Sequence, residues 1–369
     1  MVRVLQVVTH MNRGGLETML MNYYRHIDRS QIKFDFLVHR QERAAYDDEI
    51  ESMGGVIYRL PVLNPFSRTY KNALREFFIT HPEYKVVHVH QDCLSSVVLK
   101  EAKKQGIPIR IAHSHCASQD KNLKYVIKMY YQKQIPQSAT HLWSCGEEAG
   151  HWMFHGAKFQ VLNNAIDTSQ YRYDKAKRKD MRNQLGIDED TLLIGHVGRF
   201  NHQKNHTFLI NIFQSICKQK KAKLLLVGDG TLRCEIIQKV REFDLEQKVI
   251  FAGVRSDVAD LLQTMDVFVF PSNYEGLPVT MIEAQAAGLP CFISDKVSIE
   301  CKKTDLVQQI PLSVGADTWA EVILKAQGTE RRDTSEEIKR AGFDIQENAK
   351  RLQQFYLRAH EGENDICLY

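Results

Sequence analysis

The feature that most constrains this 369-residue chain is a rhythm of short apolar runs separated by stretches long enough for a helix, which starts, breaks off and starts again. The first series predicts strands at Val2–Val8, Phe34–Val38, Val56–Leu60, Val86–His90, Ile109–His113 and His141–Cys145. After the charged stretch Tyr173–Arg182 a second series predicts strands at Leu192–Val197, Lys223–Val227, Val249–Ala252, Val267–Phe270 and Cys291–Ser294. Strands joined through helices must run parallel, because a parallel connection needs a crossover, and a parallel sheet has to be covered on both faces. The expectation is therefore α/β, with two doubly wound domains. Their boundaries are read as residues 1–168 and 169–342, followed by a C-terminal helix and tail at 343–369 that packs back on the first domain.

Composition adds exclusions. With 43% hydrophobic and 25% charged residues the chain matches a globular protein rather than a fibrous or disordered one. A net charge of +4 comes without a long basic run or a nucleic-acid module, so no nucleic-acid partner is expected. No stretch approaches the 18 or so apolar residues a membrane span needs, and the start reads as a strand rather than a secretory signal, so a cytoplasmic location is expected. Eight scattered cysteines form no C-x-x-C pair and read as free thiols.

In open α/β sheets ligands bind beyond the carboxyl ends of the strands, so the loops there carry the chemistry. The loop after Leu192–Val197, in HVGRFNHQKNH, offers Arg199 and Lys204, two fixed cations suited to a diphosphate. The loop after Val267–Phe270, in FPSNYEGLPVTMIEAQAAGLP, carries Glu275 and Glu283 separated by seven residues. Between them Gly276 permits close backbone approach, and a helix starting near Pro278 points free N–H groups at an anion. Gly14 and Gly15, in THMNRGGLET, sit between the first strand and the first helix. His113 and His115, in IAHSHCAS, alternate to the same side of a strand end, and His88 and His90 form a second such pair read as structural support.

Together these motifs resemble the family-four retaining glycosyltransferases of the GT-B fold, with the E-x7-E and G-R-x4-K elements in that family's places. The resemblance implies two Rossmann-like domains facing across a cleft. It implies a catalytic set of Arg199, Lys204 and Glu275 with a histidine against the donor sugar, His115 in preference to His113. It places Gly14, Gly15, Gly253, Val254, Arg255, Gly276, Leu277, Pro278 and Glu283 on the donor nucleotide, Glu275 on sugar hydroxyls and Glu283 on the ribose. The hinge string FQVLNNAID departs from the family's N-G-I-D by Ala165.

The implied activity is retaining, metal-independent transfer of a hexose or N-acetylhexosamine from a UDP-sugar to a glycan or lipid-linked glycan acceptor in polysaccharide biosynthesis, with no cofactor. The alternatives are an epimerase or hydrolase of nucleotide sugars on a similar fold, or a non-catalytic nucleotide-binding subunit. A basic amphipathic helix, with Lys121, Lys124 and Lys128 opposite Leu123, Val126, Ile127 and Tyr130, suits either a solvated domain face or peripheral contact with the inner face of the plasma membrane.

Overall fold

A computed structural model describes residues 1–116, 125–326, 328, 330–363 and 367. The chain divides into two compact units, Met1–Ala165 with Ile345–Tyr369, and Ile166–Asp344. Among the described residues no helix is long and apolar enough to cross a membrane.

Among the described residues the first unit holds seven parallel strands: β1 (Val2–Val8), β2 (Ile32–Val38), β3 (Ile57–Arg59), β4 (Val86–Val89), β5 (Ile109–Ser114), β6 (His141–Ser144) and β7 (Gln160–Val161). Their order across the sheet is β3-β2-β1-β4-β5-β6-β7. Both faces are covered, and the period of two along β1 divides the core: Val2, Val4 and Val8 enter one apolar cluster, Leu5 and Val7 the other. The first cluster is completed by the C-terminal helix Ile345–Glu361, whose Ile345, Ala349, Leu352, Phe355, Tyr356 and Ala359 repeat at helical spacing. Phe355 meets Trp143 edge-on at 4.7 Å, and Tyr356 meets Phe34 at 5.8 Å.

The described residues of the second unit hold six parallel strands: β8 (Leu192–Val197), β9 (Ala222–Val227), β10 (Val249–Gly253), β11 (Val267–Phe270), β12 (Cys291–Ser294) and β13 (Val307–Ile310). Their order is β10-β9-β8-β11-β12-β13. Leu192 and Ile194 face one apolar cluster, Leu193 and Val197 the other. β7 and β13 are additions to the strands expected from the pattern. β7 spans two residues, and β13 exposes Gln308 and Gln309 on an edge, so neither has an apolar run to announce it.

In each sheet the strand order reverses once, between β1 and β4 and between β8 and β11, and a crevice opens at such a switch point. In the second unit β11 pairs with β8 only at Val267↔Ile194 and Phe268↔Gly195. Beyond that point the His196 ring takes over, its Nδ1 2.8 Å from the Val269 carbonyl, and the two strands part.

Candidate functional site

The loops leaving β8 and β11 are stitched together by hydrogen bonds. Asn273 donates its backbone N–H to Gln203 O at 2.7 Å and its side-chain amide to His202 O at 2.7 Å. Asn205, in the left-handed region at φ 54°, donates its amide to Pro271 O at 3.1 Å. The result brings together two residues 71 positions apart in sequence: Lys204 Nζ lies 2.6 Å from Glu275 Oε1. Both side chains are largely shielded, at 15% and 9% exposure, so the pair is less screened than a surface ion pair. The ammonium also sits 4.4 Å from the Phe270 ring centre. Its stem runs beside Gly198, where an added Cβ would fall 3.2 Å from Lys204 Cγ and Cδ, which is a steric reason for glycine in G-R-x4-K.

Arg199 is exposed and makes no ion pair with a carboxylate among the described residues. Its loop is braced from β9. Gly198 donates to Val227 O at 2.9 Å and Phe200 to Asp229 O at 3.0 Å. Gly228, at φ 136°, lies so close that an added Cβ would stand 2.2 Å from Gly198 O, and one on Gly230 would stand 2.5 Å from Phe200 O. The glycines of LLLVGDGTLR therefore serve the loop that carries Arg199.

The other positions of the second unit that the resemblance assigns to the nucleotide lie at the end of β10, on the loop after β11 and in the helix that follows it. Glu275 is anchored by an isolated bridge to Val297. Gly276 and Leu277 lead into Pro278, which is the N-cap of helix Val279–Ala286 without a side-chain cap. Glu283, inside that helix, is buried and accepts the Tyr171 hydroxyl at 2.8 Å. Burial pushes its carboxyl up to about 7, against the pull of the Tyr171 hydrogen bond. Gly253 ends β10 at φ 68° and accepts from Gly228 N at 2.8 Å; Val254 is exposed, and Arg255 forms a two-pronged pair with Asp257 at 2.7 and 2.5 Å. Lys204 and Glu275 thus meet, whereas Glu283 and Arg255 each have another partner.

In the first unit Gly14 caps and Gly15 opens helix Gly15–His26, directly beyond β1. Gly14 has no side chain with which to cap the helix, and a Cβ built on it would meet the Glu17 carboxylate at 2.4 Å, whereas among the described residues nothing lies within 4 Å of one built on Gly15. His113 and His115 share one side of the β5 end, their rings 4.1 Å apart. His88 and His90 sit beside them: His88 Nε2 is 3.1 Å from His113 Nδ1, and His90 Nδ1 is 2.9 Å from His115 Nε2. Burial lowers the basicity of all four imidazoles. His88, His90 and His113 each have a nitrogen within 4.8 Å of the others, the spacing of a shared metal ion. Sequence reasoning did not find Tyr171, Tyr356 or Gln6 as partners of these groups, because each looks like an ordinary helix or strand residue until the fold pairs it.

Of the basic helix, Lys121, Leu123 and Lys124 lie outside the described residues. In helix Tyr125–Gln132, Val126 and Tyr130 are exposed rather than packed. Asp188 and Asp190, in the charged connection ahead of β8, form ordinary ion pairs, with Lys221 Nζ 2.7 Å from Asp188 and 2.9 Å from Asp190.

Comparison with known proteins agrees with this layout. Residues 13–170 match the family described as Glycosyltransferase Family 4, and residues 177–302 match Glycosyl transferases group 1. The chain is 36% identical to EpsF of Bacillus subtilis (strain 168), named as a glycosyltransferase, over 96% of both proteins. It is 23% identical to the capsular polysaccharide biosynthesis glycosyltransferase CapH of Staphylococcus aureus over 97% of this chain and 99% of CapH. The crystal structure of Anabaena HepE with UDP and glucose shares the fold, with a TM-score of 0.78 at 17% identity over 97% of this chain and 100% of HepE. With both sheets, their order and these matches in place, the chain belongs to the GT-B glycosyltransferases.

Proposed function

We propose that this transferase moves a hexose or N-acetylhexosamine from a UDP-sugar to a glycan acceptor, free or carried on a lipid, with retention of anomeric configuration, in the assembly of a surface polysaccharide. The observation that carries the reading is the Lys204–Glu275 pair at the switch point of the second sheet. An ammonium has three N–H donors, so the bond to Glu275 leaves two for diphosphate oxygens, while the carboxylate accepts from sugar hydroxyls. EpsF and CapH are near-full-length relatives, the name of CapH assigns that protein to capsule synthesis, and HepE was solved with UDP and glucose, which supports uridine as the nucleotide.

In this reading the bond from the anomeric carbon to the diphosphate breaks as the acceptor oxygen attacks from the same face. The acceptor's proton passes to the departing phosphate oxygen. Arg199 and Lys204 offset the charge that develops there, a role that needs no metal ion. The helix start at Gly14–Gly15, where Gly15 is exposed, supplies backbone N–H donors to an anion.

A thermal-shift panel of UDP, GDP and ADP and their sugars tests the nucleotide, because a ligand of the folded state raises its melting temperature. UDP compounds are expected to give the largest rise; a larger rise with GDP or ADP compounds would overturn the uridine assignment. Transfer to acceptor in the presence of a chelator, with the product anomer read by NMR, tests the rest. Rapid turnover of donor alone would favour the epimerase or hydrolase reading.

A further inference from the structure

Six side chains of the first unit form a single hydrogen-bonded path. His115 Nε2 lies 2.9 Å from His90 Nδ1, and His90 Nε2 lies 3.0 Å from Gln6 Oε1. Gln6 Nε2 donates to Tyr356 Oη at 3.3 Å, and Tyr356 Oη lies 2.7 Å from His88 Nδ1. His88 Nε2, 3.1 Å from His113 Nδ1, completes the path, and His113 Nε2 has no partner among the described residues. Gln6, Tyr356, His88, His90 and His113 are all buried.

A neutral imidazole has one N–H and one lone pair, so a ring bonded through both nitrogens transmits polarity from one neighbour to the next. Burial keeps the rings neutral, which leaves no cation to break the alternation. The Gln6 amide sets the direction. Its NH2 group faces Tyr356, so the phenol must spend its own hydrogen on His88 Nδ1, and His88 then gives its Nε2–H to His113. The Gln6 oxygen takes the Nε2–H of His90. His90 Nδ1 is therefore a lone pair and can only receive the Nε2–H of His115.

We infer that Gln6 and Tyr356 are positioning residues for His115. Acting through His90, they hold it as the neutral Nε2–H tautomer, so that its Nδ1 presents a lone pair that accepts from a sugar hydroxyl and cannot donate to a phosphate oxygen. This rests on the reading of His115 as a donor-sugar contact. It also gives the C-terminal helix, 350 residues from Gln6, a part in setting the site.

The test uses the full-length protein labelled with ¹⁵N at histidine, in which two-bond proton–nitrogen correlations report each ring's tautomer. At neutral pH His88, His90, His113 and His115 are expected as Nε2–H. Tyr356→Phe keeps the ring in the core and removes the hydroxyl. It is expected to leave UDP affinity unchanged, mix the tautomers, and lower kcat about tenfold through misplacement of His115. His115 protonated on Nδ1 in the unmodified protein would overturn the inference, as would a stoichiometric metal ion held by His88, His90 and His113. Wild-type tautomers and kcat in Tyr356→Phe would do the same. The tautomer reading is independent of activity: if the pattern holds but His115 resonances ignore added UDP-sugar, it is the donor-contact reading that fails.

Discussion

At the scale of single residues, the site turns on charges held where solvent is scarce. Lys204 is pinned by Glu275, the Phe270 ring and the close passage of Gly198. Lys204→Ala should lower turnover by about 10²–10³-fold, the usual effect of removing one preorganised group that stabilises departing charge. Turnover within a few-fold of the unmodified protein would refute its role. Glu283 gives a second residue-scale prediction. Its folded-state value, about 7, lies above the ordinary 4.5, so between those pH values the folded chain holds a proton that the unfolded chain has lost. Stability contributed by the neutral carboxyl is present below pH 4.5 and is lost as pH rises through about 7. Glu283→Gln stays neutral throughout and can still accept from Tyr171. The variant should match the unmodified protein near pH 4.5 and exceed it by on the order of 3 kcal/mol at pH 8 in denaturant titrations. Parallel stability curves for the two proteins would contradict the assignment.

At the scale of elements, the loop after β8 owes its course to the loop after β9. Gly228 combines a left-handed φ of 136° with an approach of 2.2 Å from its absent Cβ to Gly198 O. Gly228→Ala must therefore move the backbone that carries Arg199. Destabilisation of about 2 kcal/mol or more is expected, together with weaker UDP binding by calorimetry; wild-type values for both would show that the loop tolerates the shift. The sequence pattern was enough to place eleven strands here, because a buried parallel strand announces itself as an apolar run. It was silent on β13, where Gln308 and Gln309 face solvent, and on the two-residue β7. Motif spacing singled out Lys204 and Glu275 separately. Their contact depends on β8 and β11 being neighbours across a switch point, which is a property of strand order and not of local sequence.

At the scale of the whole molecule, the chain returns to its first unit for the last helix. Tyr356 looked like one more apolar residue on a helix face; only the fold reveals its hydroxyl among His88 and Gln6. The four histidines were visible as two alternating pairs, but their bonding needs the parallel register that sets Val89 beside Ala112. Removing residues from Ile345 onward would take Leu352 out of the apolar cluster and strip Phe355 from Trp143 and Tyr356 from Phe34. At about 1.5–3 kcal/mol for each large apolar side chain, that loss rivals the stability of an ordinary domain. The truncated protein should lose the cooperative melting and protease resistance of Met1–Ala165, and retention of both would show that the helix is dispensable.

On the proposed function the diphosphate of the donor is held by the cations beyond β8, beside the carboxylate beyond β11. A crystal structure of the protein with a UDP-sugar tests it most directly. Phosphate oxygens should lie within hydrogen-bond distance of Lys204 Nζ and of the Arg199 guanidinium, with a sugar hydroxyl on Glu275. A diphosphate bound elsewhere, with Lys204 and Glu275 still paired only to each other, would overturn this assignment.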